Sequence, residues 1–292
     1  MADTYQRQGA TAFLQDIWSD AVLKYAEVNY KLRSSITDFT SMTSGQVGEN
    51  IMVPTLSAET AVDYQQGGGT DASVTFTNDT DGQVTINCNQ QPAVAKRISD
   101  IVAVQTSFDI FDGMSRSMGQ AIARSVENGI KTKMVADTSN DVQLGADTAV
   151  TQAEYLAGFE GAMEKLLAKD CPLDDGGLYL YCSPAMYSQL LKDDSFSHAL
   201  NRGDASNPVV TGVLGMIHGA KVVPSSLWDN GTLANDEVEG TLFHSSSTGI
   251  AFSIEPNAKA QENIAYLSTD LVASCCYGSA VINGDLISNI KV

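Results

Sequence analysis

Residues 109–135 read DIFDGMSRSMGQAIARSVENGIKTKMV. Within this stretch Ile110, Met114, Met118, Ile122, Val126, Ile130 and Met134 recur at every fourth position, the spacing of an α-helix. At about 100° per residue, each step of four overshoots a full turn by roughly 40°. The apolar stripe therefore winds round the helix, which suits a backbone that meets different neighbours along its length. A helix of roughly 25 residues would be about 38 Å long. Arg116, Arg124, Lys131 and Lys133 give it a basic character.

The chain before this helix has the opposite character. Phe13, Ile17, Ala21 and Tyr25, flanked by Leu14, Trp18 and Val22, predict an amphipathic helix within 11–32. From Ser34 to Ala95 the sequence turns to Thr, Ser, Gly, Asn and Gln, with short β-like runs at 51–53, 74–76 and 84–86 and the glycine run 67–69. Two strands joined by a long polar excursion, a hairpin arm, is the natural reading. The arm carries Glu49, Glu59, Asp63, Asp71, Asp79 and Asp81, yet no Lys or Arg lies between Arg33 and Lys96. A surface of one sign repels itself, and a basic surface on another molecule would accommodate it; a merely solvated acidic loop is the competing reading.

Beyond the helix, Thr151-Gln-Ala-Glu154 has the form of a capping box, opening a helix that turns Tyr155, Phe159, Met163 and Leu166 inward until Cys171-Pro172. A buried strand is expected at 178–182. Ser183-Pro184 then offers an N-cap with Pro in the first turn, and Tyr187, Leu190 and Leu191 continue that helix. A strand at 220–223 completes a small α/β unit. The remainder reads as strands at 250–254, 263–267 and 272–277, then a hairpin from 280–282 through Asn283-Gly284 into 286–290.

The 292 residues carry 35 acidic and 17 basic side chains, a net charge of −18, which argues against electrostatic wrapping of DNA. The N-terminus MADTYQRQGA has no apolar signal core and no later run is long enough for a membrane span, so the chain is expected to be made and used in a cytoplasm, with no membrane partner. Cys88, Cys171, Cys182, Cys275 and Cys276 show no C-x-x-C spacing and read as buried free thiols. His198, His218 and His244 have no metal-binding spacing, and no P-loop, dinucleotide fingerprint or G-x-S-x-G elbow occurs. Asp174-Asp175 and Asp193-Asp194 could be proposed as acid/base pairs, but each sits beside loop-forming residues or a helix end, where solvated acids are expected. Arg202-Gly203-Asp204 matches an adhesion tripeptide, which turn chemistry explains, and the acceptor patterns at Asn78 and Asn230 have no meaning without secretion. Neither a catalytic residue nor a cofactor or metal site is indicated.

Several segments in order carry a resemblance. AFLQDIWSDAVLKYAE (12–27) and GENIMVPTLSAETAVDYQQGGG (48–69) resemble the opening of tailed-bacteriophage major capsid (coat) proteins, in which a helix leads into an extended loop. YSQLLKDDSFSHALNRGDASNPVVTGVLGMIHGAKVVPSSLW (187–228) is the most specific match, through Leu190, Asp194, Phe196, Ala199, Gly212, Gly215, Gly219, Val222, Val223 and Ser225. TGIAFSIE (248–255) and LSTDLVASCCYGSAVINGDLISNIKV (267–292) are similar to that family's final strands, with the pair Tyr277-Gly278.

The resemblance implies an α+β fold of the Hong Kong 97-like type. Its parts would be an N-terminal arm and helix (1–44), an extended β-hairpin loop (45–92), a peripheral domain with the long spine helix (93–171 and 251–292) and an axial domain (172–250). It implies a structural protein and not an enzyme, self-assembling as pentamers and hexamers into an icosahedral shell around phage DNA, which it would hold without sequence-specific binding. A portal protein would be a partner, a decoration protein is compatible, and assembly would take place in the host bacterial cytoplasm. Few residues precede Ala12, which implies a separate scaffolding protein, and the loop has no Lys through which to cross-link. The residues expected at subunit contacts are Glu59, Asp63, Asp71, Arg116, Arg124, Lys131 and Arg202. An encapsulin, a nanocompartment shell on the same fold, is the alternative, and a soluble enzyme of unassigned chemistry is the third reading.

Overall fold

The computed structural model describes residues 22, 26, 31–44, 50–55, 82–99, 110–145, 150–173, 175–192, 215–229 and 237–292. In chain order these include β1 (Thr37–Asp38), β2 (Asn50–Thr55), β3 (Gly82–Asn87), β4 (Ala93–Ser99), α1 (Ile110–Val135), β5 (Val142–Gln143), α2 (Gln152–Leu167), β6 (Leu178–Cys182) and α3 (Pro184–Leu190). There follow β7 (Met216–Ile217), β8 (Ala220–Pro224), β9 (Val238–His244), β10 (Thr248–Asn263), β11 (Ser268–Val281) and β12 (Ile287–Lys291). Of the expected N-terminal helix within 11–32, residues 22, 26, 31 and 32 are described: Val22 and Ala26 are helical and buried, and Lys31 and Leu32 form a bend.

Local signals are obeyed where the hydrogen-bond partner is near in sequence. The Thr151 hydroxyl accepts from Glu154 N–H and the Glu154 carboxylate accepts from Thr151 N–H, so the capping box forms as read. Ser183 Oγ accepts from Met186 N–H at 3.1 Å ahead of Pro184. Strands β2 and β3 pair antiparallel with Ile51 opposite Ile86 and Val53 opposite Val84, which makes the stem of the expected hairpin. The third run of that arm, 74–76, lies outside the described residues.

Among the described residues three sheets result, with strand orders β1-β10-β11-β4, β5-β12-β9-β6-β8-β7 and β2-β3. The C-terminal reading needs two corrections. Of residues 263–267, expected as a strand, Asn263 ends β10 and pairs with Ser268, while 264–267 make the turn to β11, with Leu267 left-handed at φ 45°. The hairpin expected at Asn283-Gly284 does not form. Asn283 Oδ1 accepts from Asp285 N–H at 3.0 Å and opens a single 3-10 turn, after which β12 crosses to pair with β9.

Helix α1 lies against both large sheets, and its winding stripe meets new partners as it advances. Lys96 of β4 donates to Ser117 Oγ at 3.3 Å, the Tyr277 hydroxyl of β11 donates to Ser125 O at 3.4 Å, and Asn289 of β12 donates to Met134 O at 3.3 Å. Met118, Ile122, Val126, Ile130 and Met134 are all fully buried in one cluster with Phe252, Tyr277, Phe243 and Trp228. Burying side chains of this size stabilises by about 1.5–3 kcal/mol each.

A second cluster joins α2 (Tyr155, Phe159, Leu166), β6 (Leu178, Leu180), α3 (Met186, Leu190) and β12 (Ile290). Helix α2 packs on the six-stranded sheet, in which β12 is itself a strand. Periodicity gives each element its inward face but not the sheet that covers it.

Candidate assembly interface

The basic side chains of α1 do not share one environment. Arg116 and Arg124 are exposed, as is Lys133. Lys131 is half-buried: its ammonium donates to Leu227 O at 2.5 Å and lies 5.6 Å from the Trp228 ring centre. Burial pushes its pKa down, with Glu237 and Glu239 pulling the other way. Within the subunit Lys131 thus joins the spine helix to the segment before β9. Glu59, Asp63, Asp71 and Arg202 lie outside the described residues, so no distance relates them to the helix.

Residues 31–43 form a staple that sequence reading missed. Glu127, only 8 % exposed on α1, accepts from the backbone N–H groups of Lys31 and of Leu32, the latter at 2.8 Å. Burial holds its carboxyl above the usual glutamate range, against those two hydrogen bonds and the Lys31 charge. Ser35 Oγ meets the Tyr181 hydroxyl of β6 at 2.9 Å. Arg33 bridges Asp38 and Glu255 at 3.2 and 3.0 Å and stands 4.2 Å over the Phe252 ring. Beyond them β1 pairs parallel with β10. One short segment so contacts the spine helix and both large sheets. The available signal was Glu127 falling between Ala123 and Ile130 on the apolar face, where a carboxylate needs a buried donor.

The outer end of the β10–β11 pair is apolar. Ile264, Tyr266 and Leu267 are 81, 66 and 63 % exposed, and Arg97 stands 4.5 Å over the Tyr266 ring while bonding Asp270 at 2.5 Å. The Arg97 hydrogen bond, helped by Asn263, holds the Asp270 carboxyl down at about 2. Exposed aromatic and aliphatic groups grouped at a projecting tip suit contact with another protein surface.

One constellation mimics a hydrolytic triad. His244 Nε2 meets Asp175 Oδ2 at 2.8 Å, and His244 Nδ1 meets Ser246 Oγ at 2.7 Å. Ser246 is two residues from His244, and its N–H also donates to Nδ1 at 3.3 Å, so the contacts close a turn after β9 instead of presenting a nucleophile. Asp175 of the acidic pair is engaged here; Asp174, Asp193, Asp194 and His198 lie outside the described residues. Among the described residues no cluster of three or more His, Cys, Asp or Glu could hold a metal, and no helix is long and apolar enough to cross a membrane. All five cysteines are buried and none is in a disulfide, and burial pushes the Cys182 and Cys275 thiols up to about 12.

Comparison with known proteins places this architecture. The chain matches the family model described as phage capsid protein over residues 94–267, more than half its length. None of the curated proteins matches it by sequence. Among solved structures, a chain of Mycobacterium phage Che8 aligns with a TM-score of 0.69 at 17% identity over 88% of this chain and 89% of that one. The capsid of cyanophage P-SCSP1u gives 0.69 at 17% identity over 88% and 86%. The virus-like particle of Pyrococcus furiosus gives 0.61 at 12% identity, over 95% of this chain and 99% of that one. At such identities the likeness is one of fold, and the fold is the Hong Kong 97-like α+β arrangement that the sequence resemblance implied. With the family match covering the spine helix and the small α/β unit, the chain belongs to the phage capsid protein family.

Proposed function

We propose that this chain is the major subunit of an icosahedral shell that encloses phage double-stranded DNA, tiling as pentamers and hexamers on a separate scaffolding protein. The observation that carries the reading is the pairing of two surfaces on one chain. A long helix exposes Arg116 and Arg124, and a stretch from 34 to 95 holds neither Lys nor Arg. The acidic arm, through Glu59, Asp63 and Asp71, would lie over the spine helix of an adjacent subunit, and Arg202 would serve a further contact. Exposed ion pairs contribute about 0–1 kcal/mol each, so charge sets register and salt sensitivity while strand pairing and apolar contact supply affinity. The net charge of −18 suits DNA held by enclosure, with no sequence-specific contact. A portal protein at one vertex, an external decoration protein and assembly in the bacterial cytoplasm complete the reading, which assigns the chain no catalysis.

Co-expression with scaffolding protein, followed by sedimentation and electron microscopy, tests this. Closed megadalton particles are expected; a stable small oligomer across a range of salt would sink the reading. A nanocompartment shell of the encapsulin type is the second reading, supported by the near full-length likeness to the Pyrococcus furiosus particle. Particles recovered from infected cells with protein cargo and no DNA would decide for it.

A further inference from the structure

Strand β11 is paired on both sides along most of its length, and on one side only at its end. Residues Ser268–Ser274 pair with β4, and Tyr277 exchanges hydrogen bonds with Gln90 at 3.0 and 3.1 Å. Backbone groups alternate in direction along a strand. Cys275 N–H donates to Pro92 O and Tyr277 bonds Gln90, both away from β10, so Ser279 and Val281 face that same way. Their opposite numbers agree: Ile250, across from Ser279, turns its carbonyl outward to Phe39 N–H at 2.8 Å. No partner for the outward amides and carbonyls of Ser279 and Val281 occurs among the described residues. The Ser279 hydroxyl, in a residue 7 % exposed, is also buried without a partner there.

These groups face a cavity of about 600 Å³ whose walls include Thr85, Asn87, Asn89, Gln90, Lys133 and Asp137. Asp137 is partly occupied, accepting from Ser139 N–H at 3.1 Å. Buried backbone donors and acceptors are almost always paired in a finished structure, and a row of them at strand spacing is completed by another extended backbone. We propose that this edge of β11 is a receptor for an extended segment of a second copy of this chain. The inference rests on the shell reading and specifies one of its contacts. The walls are hydroxyl and amide groups with a lysine at the rim, which suits small polar and acidic side chains. The chain carries such a sequence between Arg33 and Lys96, rich in Thr, Ser, Asn and Gln and devoid of cations.

Amide hydrogen exchange on free subunits and on assembled shells reads the contact directly. The Ser279 and Val281 amides exchange quickly in the subunit and slow on the order of 100-fold or more in the shell. Ser279→Ala removes the unpaired hydroxyl, so the free subunit melts at the same or a higher temperature while the shell melts lower than wild type. Shells in which the two amides exchange as in the free subunit overturn the receptor and leave the shell reading standing. Protection that follows addition of scaffolding protein before shells form assigns the slot to that protein and overturns a second copy as occupant. Subunits that form no particles with scaffold overturn both readings.

Discussion

Glu127 is the side chain whose placement most constrains the subunit. It lies in the apolar stripe of α1 and has both donors supplied by a segment almost a hundred residues earlier, Lys31 and Leu32. Removing the carboxylate leaves the buried Leu32 N–H and the part-buried Lys31 N–H unmet, so Glu127→Ala is expected to cost about 1–3 kcal/mol in urea denaturation. Glu127→Gln keeps an acceptor and costs less. The pH response has a definite sign. Burial raises the carboxyl above its unfolded value, so its contribution to stability is fully present below the ordinary glutamate range and is lost as pH rises through the raised value. The Gln variant lacks this loss: as pH rises above the ordinary glutamate range, its stability falls less than that of wild type. An equal fall in both would refute the assignment. Glu239, buried beside Ser183 and near Asp229, Glu237 and Lys131, is displaced in the same direction by burial first, so the Gln variant flattens the response only in part.

At the scale of elements, α1 is held by close approach as well as by apolar burial. Gly129 faces Tyr277, and a Cβ there would collide with the Tyr277 hydroxyl and come within 3.0 Å of Gln90 Oε1. Helix propensity alone favours Ala over Gly by about 1 kcal/mol. Gly129→Ala is nevertheless expected to lower the melting temperature of the free subunit, since Tyr277 must give up Ser125 O and shift the bridge that ties Gln90 to β11. A rise would mean that the helix and β11 separate at little cost. The β10–β11 pair shows the complementary case. Its strands continue regular pairing out to Asn263 and Ser268 because β4 supports β11 there, while β10 has β1 beside it only at Gly249–Ile250.

For the whole molecule, two cations of the spine helix stand in different environments. Lys131 is half-buried and bonds within the subunit to Leu227 O, beside Trp228 and the acids near β9, whereas Arg124 is exposed beside Ser125 and Asn128. Arg124→Glu is therefore expected to leave the subunit melting within about 0.5 kcal/mol of wild type, the range of ordinary surface changes. It should still reduce shell yield at low salt, with the deficit shrinking as salt is added. Lys131→Glu should destabilise the subunit itself. Unchanged assembly of the Arg124 variant would remove the arm-to-spine contact while leaving the fold intact.

Much of this protein is written locally. The spine helix, the Thr151 capping box, the Ser183-Pro184 helix start and the β2–β3 register all follow from partners within a turn or across one hairpin, which periodicity and cap chemistry specify. The ordered segments pointed to the phage capsid family, although the contact residues on the acidic arm remain proposals. What only the tertiary structure decided depends on partners far along the chain. Residues 264–267 are apolar enough for a strand, but Asn263 pairs with Ser268 and the chain turns between them. Asn283-Gly284 suits a hairpin, but β9 offers β12 a buried ladder on the other sheet, and the chain crosses to it. Glu127, Lys131 and the edge at Ser279 and Val281 gain their roles from which group happens to stand opposite. A residue's own chemistry fixes what it can bond, and only the folded chain fixes whether a partner is there.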